Sequence, residues 1–386
     1  MISEQSIKRN QNRSAILNAI QENGPLKRME FSEVCGIRKS SITSIIDELV
    51  EKDLLCNIDI DKPRSPLRFT EGKYFVASVA IAVNKVVCAL VDLSGGVYHR
   101  SVLDYDVSTT SSQDLLEIVG NGLDKLLSKQ PERILGIGVA MPGIVDSEAG
   151  ICKHVINVPQ LQDAGLKTYL EKRFTQRIYV ENDVRASLWS SVWFDQSLGK
   201  KGDILYLEVG DGISTALLVN GVRHRGANSS AGEVGHLNAG DEKRICRCGK
   251  VDCLETYSSV RAILSEIKQF LPQNDISSAA DIGNNGENQI IVNVLDRAME
   301  KLTAILAPLV AYIDPQQILL GNQNREFYEV LLPAFEKHLR SNLQGCASQN
   351  VDIQIAPATE DCALRGIAGV AISEAFTDIL AFADPE

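Results

Sequence analysis

Long apolar runs are missing from this chain. No stretch approaches the roughly 18 residues that a membrane-crossing helix needs. The first residues also lack the apolar core of a secretory signal. The expectation is a cytoplasmic protein with no membrane partner. Cation excess is missing too, since the net charge is −11 over 386 residues. The deficit is uneven. Residues 1–70 carry eleven Lys/Arg and ten Asp/Glu, a balance of +1, and the remainder carries 28 and 40, a balance of −12. Only the head is therefore placed to approach a phosphate backbone. An even cysteine count is the third absence. Nine cysteines, three of them crowded together, fit a reducing compartment. Cys35, Cys56, Cys88, Cys152, Cys346 and Cys362 stand singly among apolar neighbours and are expected as small core residues. With 44% hydrophobic and 23% charged residues, the chain has the composition of two or three globular domains.

The most informative stretch runs from Gly232 to Glu255. It reads Gly-Glu-Val-Gly-His, a polar loop, then Cys-Arg-Cys-Gly-Lys-Val-Asp-Cys-Leu-Glu. His236, Cys246, Cys248 and Cys253 make a one-histidine, three-thiolate set suited to tetrahedral zinc. Four protein ligands leave no open position for a reactive water, so the metal is expected to be structural. Three reduced cysteines in an ordinary loop is the alternative. Glu233 and Glu255 flank the ligands and are expected to point into the cavity that this loop borders.

In the head, Asn10 to Asn23 has Ile16, Leu17 and Ile20 at helical spacing, stopped by Asn23-Gly24-Pro25. A short helix fits Lys27 to Val34, Cys35-Gly36-Ile37 a tight turn. A third helix opens at Ser40 or Ser41 with Ile42, Ile45, Ile46, Leu49 and Val50 on one stripe. Helix, turn and helix in this order place the N-terminal residues of the last helix in a major groove. Those residues are Arg38, Lys39, Ser40, Ser41, Thr43 and Ser44, with no acid before Asp47. Leu54 to Ile60 and Leu67 to Phe69 are expected as two strands of a wing, carrying Arg64 and Arg68 toward DNA. Asp59 and Asp61 run against that assignment, and a small helical domain that binds protein is the competing one.

The body reads as repeated α/β structure. Strands are expected around Asn84-Lys85 and over Val97–Val102, then a helix over Ser112–Lys129 and a strand over Ile134–Val139. A helix over Leu166–Phe174 and a strand over Ile178–Val180 deliver Glu181-Asn182-Asp183, and Ala186–Trp193 is helical. Asp203–Val209 and Ser214–Val219 repeat the hairpin, with Asn220-Gly221 as a turn signal. Helices cover Ser258–Gln269 and Asn288–Ile313, and Ile318–Leu320 is a strand. The expected domains are a head over 1–70, a first lobe over 71–183 and a second over 184–386. The second would carry the zinc loop and dimerisation surface, its C-terminal helix packing back on the first. A cleft between lobes is the default ligand site.

These residues carry a resemblance. Gly138 to Asp146 (Gly-Val-Ala-Met-Pro-Gly-Ile-Val-Asp), Glu181-Asn182-Asp183, Arg225-Gly226-Ala227, Gly232 to His236 and the cysteine stretch resemble the ROK family of repressors and sugar kinases, over roughly residues 5 to 375. The resemblance implies a winged helix-turn-helix head on a two-lobed actin-like (ribonuclease H-like) ATPase fold, with structural zinc beside a sugar site. It implies that Asn182, Asp183, Glu233, His236 and Glu255 face sugar hydroxyls, with Asn157 and Gly143 lining the pocket. Asp183 stands where the family's kinases have their catalytic base. Asn182-Asp183 also reads simply as a helix N-cap, and both roles are compatible.

The sequence departs from the kinase pattern at the nucleotide loops. The Asp-x-Gly-Gly-Thr loop falls on Ala80, Ile81, Ala82, Val83 and Asn84, where side chains replace the glycines that let phosphate approach. The second loop, Gly210-Asp211-Gly212-Ile213-Ser214-Thr215, sets an acid against phosphate. The Gly-Gly near adenosine is Gly321-Asn322, and Asp252 replaces a glycine before the last cysteine. The expected function is therefore a sugar-responsive DNA-binding repressor of carbohydrate uptake or catabolism genes, not an enzyme, binding no ATP. Its expected partners are double-stranded operator DNA and a monosaccharide or sugar phosphate, and its expected assembly a homodimer or dimer of dimers. The competing readings are a sugar kinase with an appended DNA-binding head and a repressor titrated by a partner protein.

Overall fold

The structure is a computed structural model that describes residues 4–59, 61–62, 64–129, 133–195, 202–273, 275–321, 324–357 and 361–377. The chain divides into two compact units, residues 1–200 with 363–386, and residues 201–362.

The head opens the first unit. Helices α1 (Glu4–Asn23), α2 (Glu30–Cys35) and α3 (Lys39–Glu51) precede strands β1 (Leu55–Asn57) and β2 (Leu67–Phe69), which pair antiparallel. Gly36 ends α2 in the left-handed region at φ 67°, a conformation that costs glycine little. Ile16, Leu17 and Ile20 of α1 pack with Phe31 and with the Ile42, Ile45, Ile46 and Leu49 stripe of α3. The ribbon is shorter than the sequence suggests, since β1 ends at Asn57, and the expected strand end at Ile60 lies outside the described residues. Glu48 ties the first helix to the third by accepting from Arg9 (2.6 Å) and from Arg13.

The body of the first unit is one mixed sheet. Its strands are β3 (Phe75–Ala82), β4 (Lys85–Asp92), β5 (Val97–Asp104), β6 (Ile134–Met141) and, after the small hairpin β7 (Ile144–Asp146) and β8 (Ile151–His154), β9 (Ile178–Asn182). The order is β5-β4-β3-β6-β9, antiparallel through the first three strands and parallel thereafter. The near-continuous apolar runs of β3 and β4 follow from burial on both faces. Helices α4 (Ser112–Leu127) and α5 (Leu166–Arg173) cover one face. The other is covered by α6 (Asp183–Phe194) and by a helix that ends the described chain, Cys362–Thr377.

The second unit repeats the strand order. Strands β10 (Ile204–Val209), β11 (Ile213–Val219), β12 (Val222–His224), β13 (Gln317–Leu320) and β14 (Asp352–Ile355) lie as β12-β11-β10-β13-β14, again antiparallel and then parallel. Between β12 and β13 come α7 (Glu255–Ser258), α8 (Val260–Phe270), α9 (Ala279–Asn284) and α10 (Gln289–Ile313). Between β13 and β14 comes α11 (Arg325–Asn342), so the C-terminal Cys362–Thr377 helix is α12. Asn220 and Gly221 both take positive φ, 51° and 75°, the turn their sequence calls for.

Three expectations need correction. The boundary at 183/184 would cut the joint where Asn182 caps α6. Nine of the twelve α6 residues are buried, and the helix belongs with the first unit. The head is not separate at residue 70, because its core residues share one apolar cluster with Val76, Val91, Trp193 and Phe376. Cys346 is exposed, whereas Cys88, Cys152 and Cys362 are buried.

Burial pulls the Glu48 pKa upward, but the hydrogen bonds and charges of Arg9 and Arg13 outweigh it and hold the carboxyl below its ordinary value. A carboxyl depressed on folding stabilises above its unfolded pKa of about 4.3, and that stabilisation is lost as pH falls through the folded value. Glu48→Gln is expected to cost about 1 kcal/mol at neutral pH, the upper end for exposed pairs. In circular-dichroism melts the gap between wild type and variant should close as the pH drops below about 4. A gap that persists at low pH would assign Glu48 a packing role instead.

Candidate functional site

The tip of α3 collects the polar residues that the sequence assigns to DNA. Arg38 is the N-cap in extended conformation and makes no side-chain cap bond, so its guanidinium is not committed to the helix end. Lys39, Ser40, Thr43 and Ser44 are exposed and Ser41 is half-buried. A groove of ≈ 370 Å³ runs between α1 and this tip, lined by Lys8, Arg9, Asn12, Ser40, Ser41 and Ser44. Lys8 and Asn12 were not among the expected contacts; their i, i+4 spacing on α1 is the signal that finds them. In the ribbon Arg64 is exposed, whereas Arg68 is paired with Glu71 at 2.7 Å and Lys62 with Asp59 at 2.9 Å.

A second group lies at the C-terminal edge of the first sheet. Strands β6 and β9 are parallel neighbours with Met141 opposite Asn182, so Pro142-Gly143 and Asn182-Asp183 emerge side by side. Gly143 takes φ 90°, and a Cβ there would fall 2.4 Å from the His154 carbonyl oxygen. Asn182 Oδ1 accepts from the amides of Val184 and Arg185, both at 3.0 Å, and Nδ2 donates to the Gly143 carbonyl and to Asp183 Oδ1. Every donor and acceptor of Asn182 is thus used inside the fold. These bonds make Asn182 a strut beneath Asp183, which is half-buried. Beneath both, Glu181 and Arg185 form an ion pair at 2.7 Å, 0% and 4% exposed. Burial foremost pushes the Cys152 thiol on β8 up to about 12, with the charges of Asp163 and Asp183 adding to it. Asn157, past the end of β8, has Oδ1 buried with no hydrogen-bond partner among the described residues. An orphaned buried acceptor of this kind is what a ligand hydroxyl satisfies.

The third group belongs to the second unit. Gly232 (φ 107°) and Gly235 lie so close to β11 that a Cβ would fall 2.0 Å from the Thr215 carbonyl oxygen and 2.3 Å from that of Ile213. Only bare backbone lets the Gly-Glu-Val-Gly-His segment press on the strand, and this presents His236. The ligand atoms of His236, Cys246, Cys248 and Cys253 all lie within 4.8 Å of one another. The Cys246 Sγ to His236 Nδ1 distance is 3.7 Å and Cys248 Sγ to Cys253 Sγ is 3.6 Å. Sulfurs about 2.3 Å from a tetrahedral ion stand about 3.8 Å apart, so the cluster has the dimensions to hold a metal. Burial foremost, and then the carboxylate of Glu255, push the Cys246 thiol above its ordinary value. Glu255 is 4% exposed; Oε1 accepts from Cys246 Sγ at 3.0 Å and lies 3.7 Å from Arg261. Glu255 also borders a polar opening of ≈ 560 Å³ lined by Glu242, Arg244, Arg261, Ser265 and Glu266. Glu233 is half-buried on the same loop.

The expected nucleotide loops are tight turns. Val83 and Asn84 form a two-residue turn with Ala82 opposite Lys85. The Gly210 amide donates to Gly212, and the Gly210 carbonyl accepts from Val260, so this turn's backbone is partly occupied. Glu208 lies 4.0 Å from where a Gly210 Cβ would be, a second acid beside Asp211 that the sequence reading missed. Asn322 lies outside the described residues.

The ROK family model matches residues 76–374, and the chain belongs to the ROK family. It is similar to a xylose repressor of Caldicellulosiruptor bescii, 25% identical over 395 residues that cover 94% of this chain and 96% of that protein. An N-acetylglucosamine repressor of Escherichia coli O157:H7 is 26% identical over 342 residues, covering 84% and 83%. Among solved structures, a ROK family transcriptional regulator described as a homolog of the E. coli MLC protein superposes with TM-score 0.78. The two are 20% identical, with 97% of this chain and 98% of that chain covered. A ROK family glucokinase from Streptomyces griseus in complex with glucose and AMPPNP superposes with TM-score 0.67 at 21% identity, covering 77% of this chain and 99% of its own. The fold is the ROK actin-like α/β fold.

A cluster of these dimensions is expected to hold about one divalent ion per chain. Elemental analysis of purified protein measures it directly. Cys248→Ala is expected to reduce the content to well under one and to lower the melting temperature of the second unit. Full metal content in that variant would show that the cluster is not the binding site.

Proposed function

We propose that this ROK protein is a sugar-responsive DNA-binding repressor of carbohydrate uptake or catabolism genes. One observation carries the reading: the similarity to named repressors runs through the head, over 94% of the chain, whereas the glucokinase covers 77% of it and all but 1% of its own length. In this reading the head is a winged helix-turn-helix. Arg38, Lys39, Ser40, Ser41, Thr43 and Ser44 reach base edges and phosphates, and Arg64 extends from the ribbon. A two-fold dimer, or a dimer of dimers, compensates for the few base pairs that one head reads.

The effector is a monosaccharide or sugar phosphate. On the first unit Asp183 and the orphaned Asn157 Oδ1 offer acceptors for hydroxyls. On the second unit Glu233, Glu255 and His236 are the corresponding groups. Zinc is the ion that suits one imidazole and three thiolates, and it supplies a closed four-ligand cross-link with no open position. A thiolate no longer donates, so Glu255 Oε1 is then released from Cys246 and available to a hydroxyl. ATP is not expected to bind, and the protein is read as no enzyme. Each of Glu208 and Asp211 opposes a phosphate charge at a cost on the order of 4 kcal/mol for a 4 Å approach at an effective dielectric of about 20.

Two measurements test the reading. The operator is selected from random duplex DNA with the full-length protein. Arg38→Ala with Lys39→Ala is expected to weaken binding to it at least about tenfold and to lower the salt slope by about two; wild-type binding by the double variant would remove α3 from the groove. Asp183→Asn is expected to weaken the response of operator binding to sugar at least about tenfold, a loss of about 1.4 kcal/mol, with sugar-free operator affinity within about twofold. A wild-type response would reduce Asp183 to a helix-end residue.

A further inference from the structure

Helix α6 begins at the effector residues and ends inside the head. Its first residue is Asp183 and its cap is Asn182. Its twelve residues span about 18 Å. At the far end the Trp193 carbonyl accepts a hydrogen bond from Gln21 Nε2 of α1, and Gln21 is 6% exposed. An aromatic series continues from there. Trp189 stacks on Trp193 with centroids 5.3 Å apart, Trp193 meets Phe376 of α12 at 6.2 Å, and Phe376 stacks on Phe69 of β2 at 5.6 Å. Of the head, α1 therefore bonds the end of α6 directly, and the ribbon is reached through Phe376 of α12.

Helix α12 is pressed against α6 along its length. A Cβ at Gly366 would fall 1.7 Å from the Ala186 carbonyl oxygen, and one at Gly369 would fall 3.0 Å from Trp193 Cδ1 and 3.2 Å from Trp189 Cδ1. The two helices have no slack between them, so a displacement of α6 carries α12 and Phe376 with it. The joint with the head borders a half-open surface recess of ≈ 130 Å³ lined by Ile20, Gln21, Phe69, Leu93, Trp193 and Phe194. A close-packed rod that ends beside such a recess transmits a shift and leaves the receiving side room to rearrange.

We propose that α6 is the element by which the effector controls the head, acting through the Gln21–Trp193 hydrogen bond and the Trp193–Phe376–Phe69 stack. The proposal rests on the reading of Asp183 as an effector contact. An effector shifts the head only by binding its two arrangements unequally, and these contacts are where the arrangements differ. Gln21, Trp193 and Phe376 are positioning residues, remote from the sugar groups and from the α3 tip.

The test uses the full-length protein, the selected operator, and xylose, N-acetylglucosamine and their phosphates as probes. Calorimetry reads sugar affinity, and operator titrations with and without sugar read the coupling. Couplings of this kind amount to about 5–150-fold in affinity. Gln21→Leu and Phe376→Leu are each expected to keep sugar affinity and sugar-free operator affinity within about twofold while the coupling falls toward about twofold or less. Coupling of wild-type size in both variants overturns the proposal. A second readout leaves Gln21, Trp193, Phe376 and Phe69 in place. The chain has 2 tryptophans, so Trp189→Phe leaves Trp193 as the sole indole. Its emission is expected to shift on sugar addition, and an unmoved spectrum in a sugar-saturated sample overturns the proposal. No heat with any probe sugar overturns the effector reading itself, and the proposal with it, and is told apart from the other failures by the calorimetry.

Discussion

A carboxylate almost without access to water fixes the site of the first unit. Glu181 is wholly buried and Arg185 nearly so, four residues apart across the joint from β9 to α6. Burying two charges costs several kcal/mol per ion unless their remaining groups are satisfied. Here Glu181 Oε1 also accepts from Ser147 Oγ and the Asn182 amide, and Arg185 donates to the Val145 carbonyl. The pair therefore ties the β7 hairpin to the start of α6. Asn182 can cap the helix and hold the Gly143 carbonyl only because this frame sets the distance between the two loops. Removal of one partner would leave a lone buried charge, worth about 3–5 kcal/mol, and would loosen both loops at once.

The second unit solves the same problem with Asp252. This residue sits at φ 57°, a backbone region suited to glycine. Its carboxylate accepts from the amides of Lys243 and Arg244 and from the Tyr257 hydroxyl at 2.6 Å. The Tyr257 hydrogen bond first, and then the two amides against the opposing pull of desolvation, hold its carboxyl below the usual range. Asp is among the residues that tolerate the left-handed region, and three donors offset what strain remains. The departure from glycine therefore stiffens the cysteine loop, and the spacing from Cys248 to Cys253 is kept.

The parts readable in the sequence were those with a local signature. Hairpins showed through turn residues such as Asn220-Gly221, α3 through its Ile and Leu stripe, and the metal cluster through the crowding of thiols. What escaped was structure whose signature is tertiary. Helix α12, expected only as a C-terminal helix without bounds, is buried nearly all round, so it has no polar face and no periodic stripe to delimit it. The same is true of α6, which explains why its role in the first unit was misjudged and the boundary drawn at its N-terminus. Strands β7 and β8 are three and four residues long, too short for alternation to register. The bond from Asn182 to the Gly143 carbonyl is likewise tertiary and leaves no mark in the sequence.

Side chains stand at Ala82 and Val83 in the turn of the first hairpin, and its strands pair from Phe75–Asp92 to Ala82–Lys85. The fold is kept because its core lies in the strands, while phosphate binding depends on bare turns. In the repressor reading proposed above no phosphoryl donor is held, and the binding free energy of the sugar then has no bond-making step to assist. Its remaining effect is on the populations of the protein's own conformations. A hundredfold change in operator affinity needs about 2.7 kcal/mol of differential binding, which a few hydrogen bonds at about 0.5–1.5 kcal/mol each provide. Such bonds bias the head only if the groups that make them are mechanically joined to it. In the reading proposed above Asp183 meets that condition, as the first residue of a buried helix whose last turn bonds α1 directly and reaches the ribbon through Phe376.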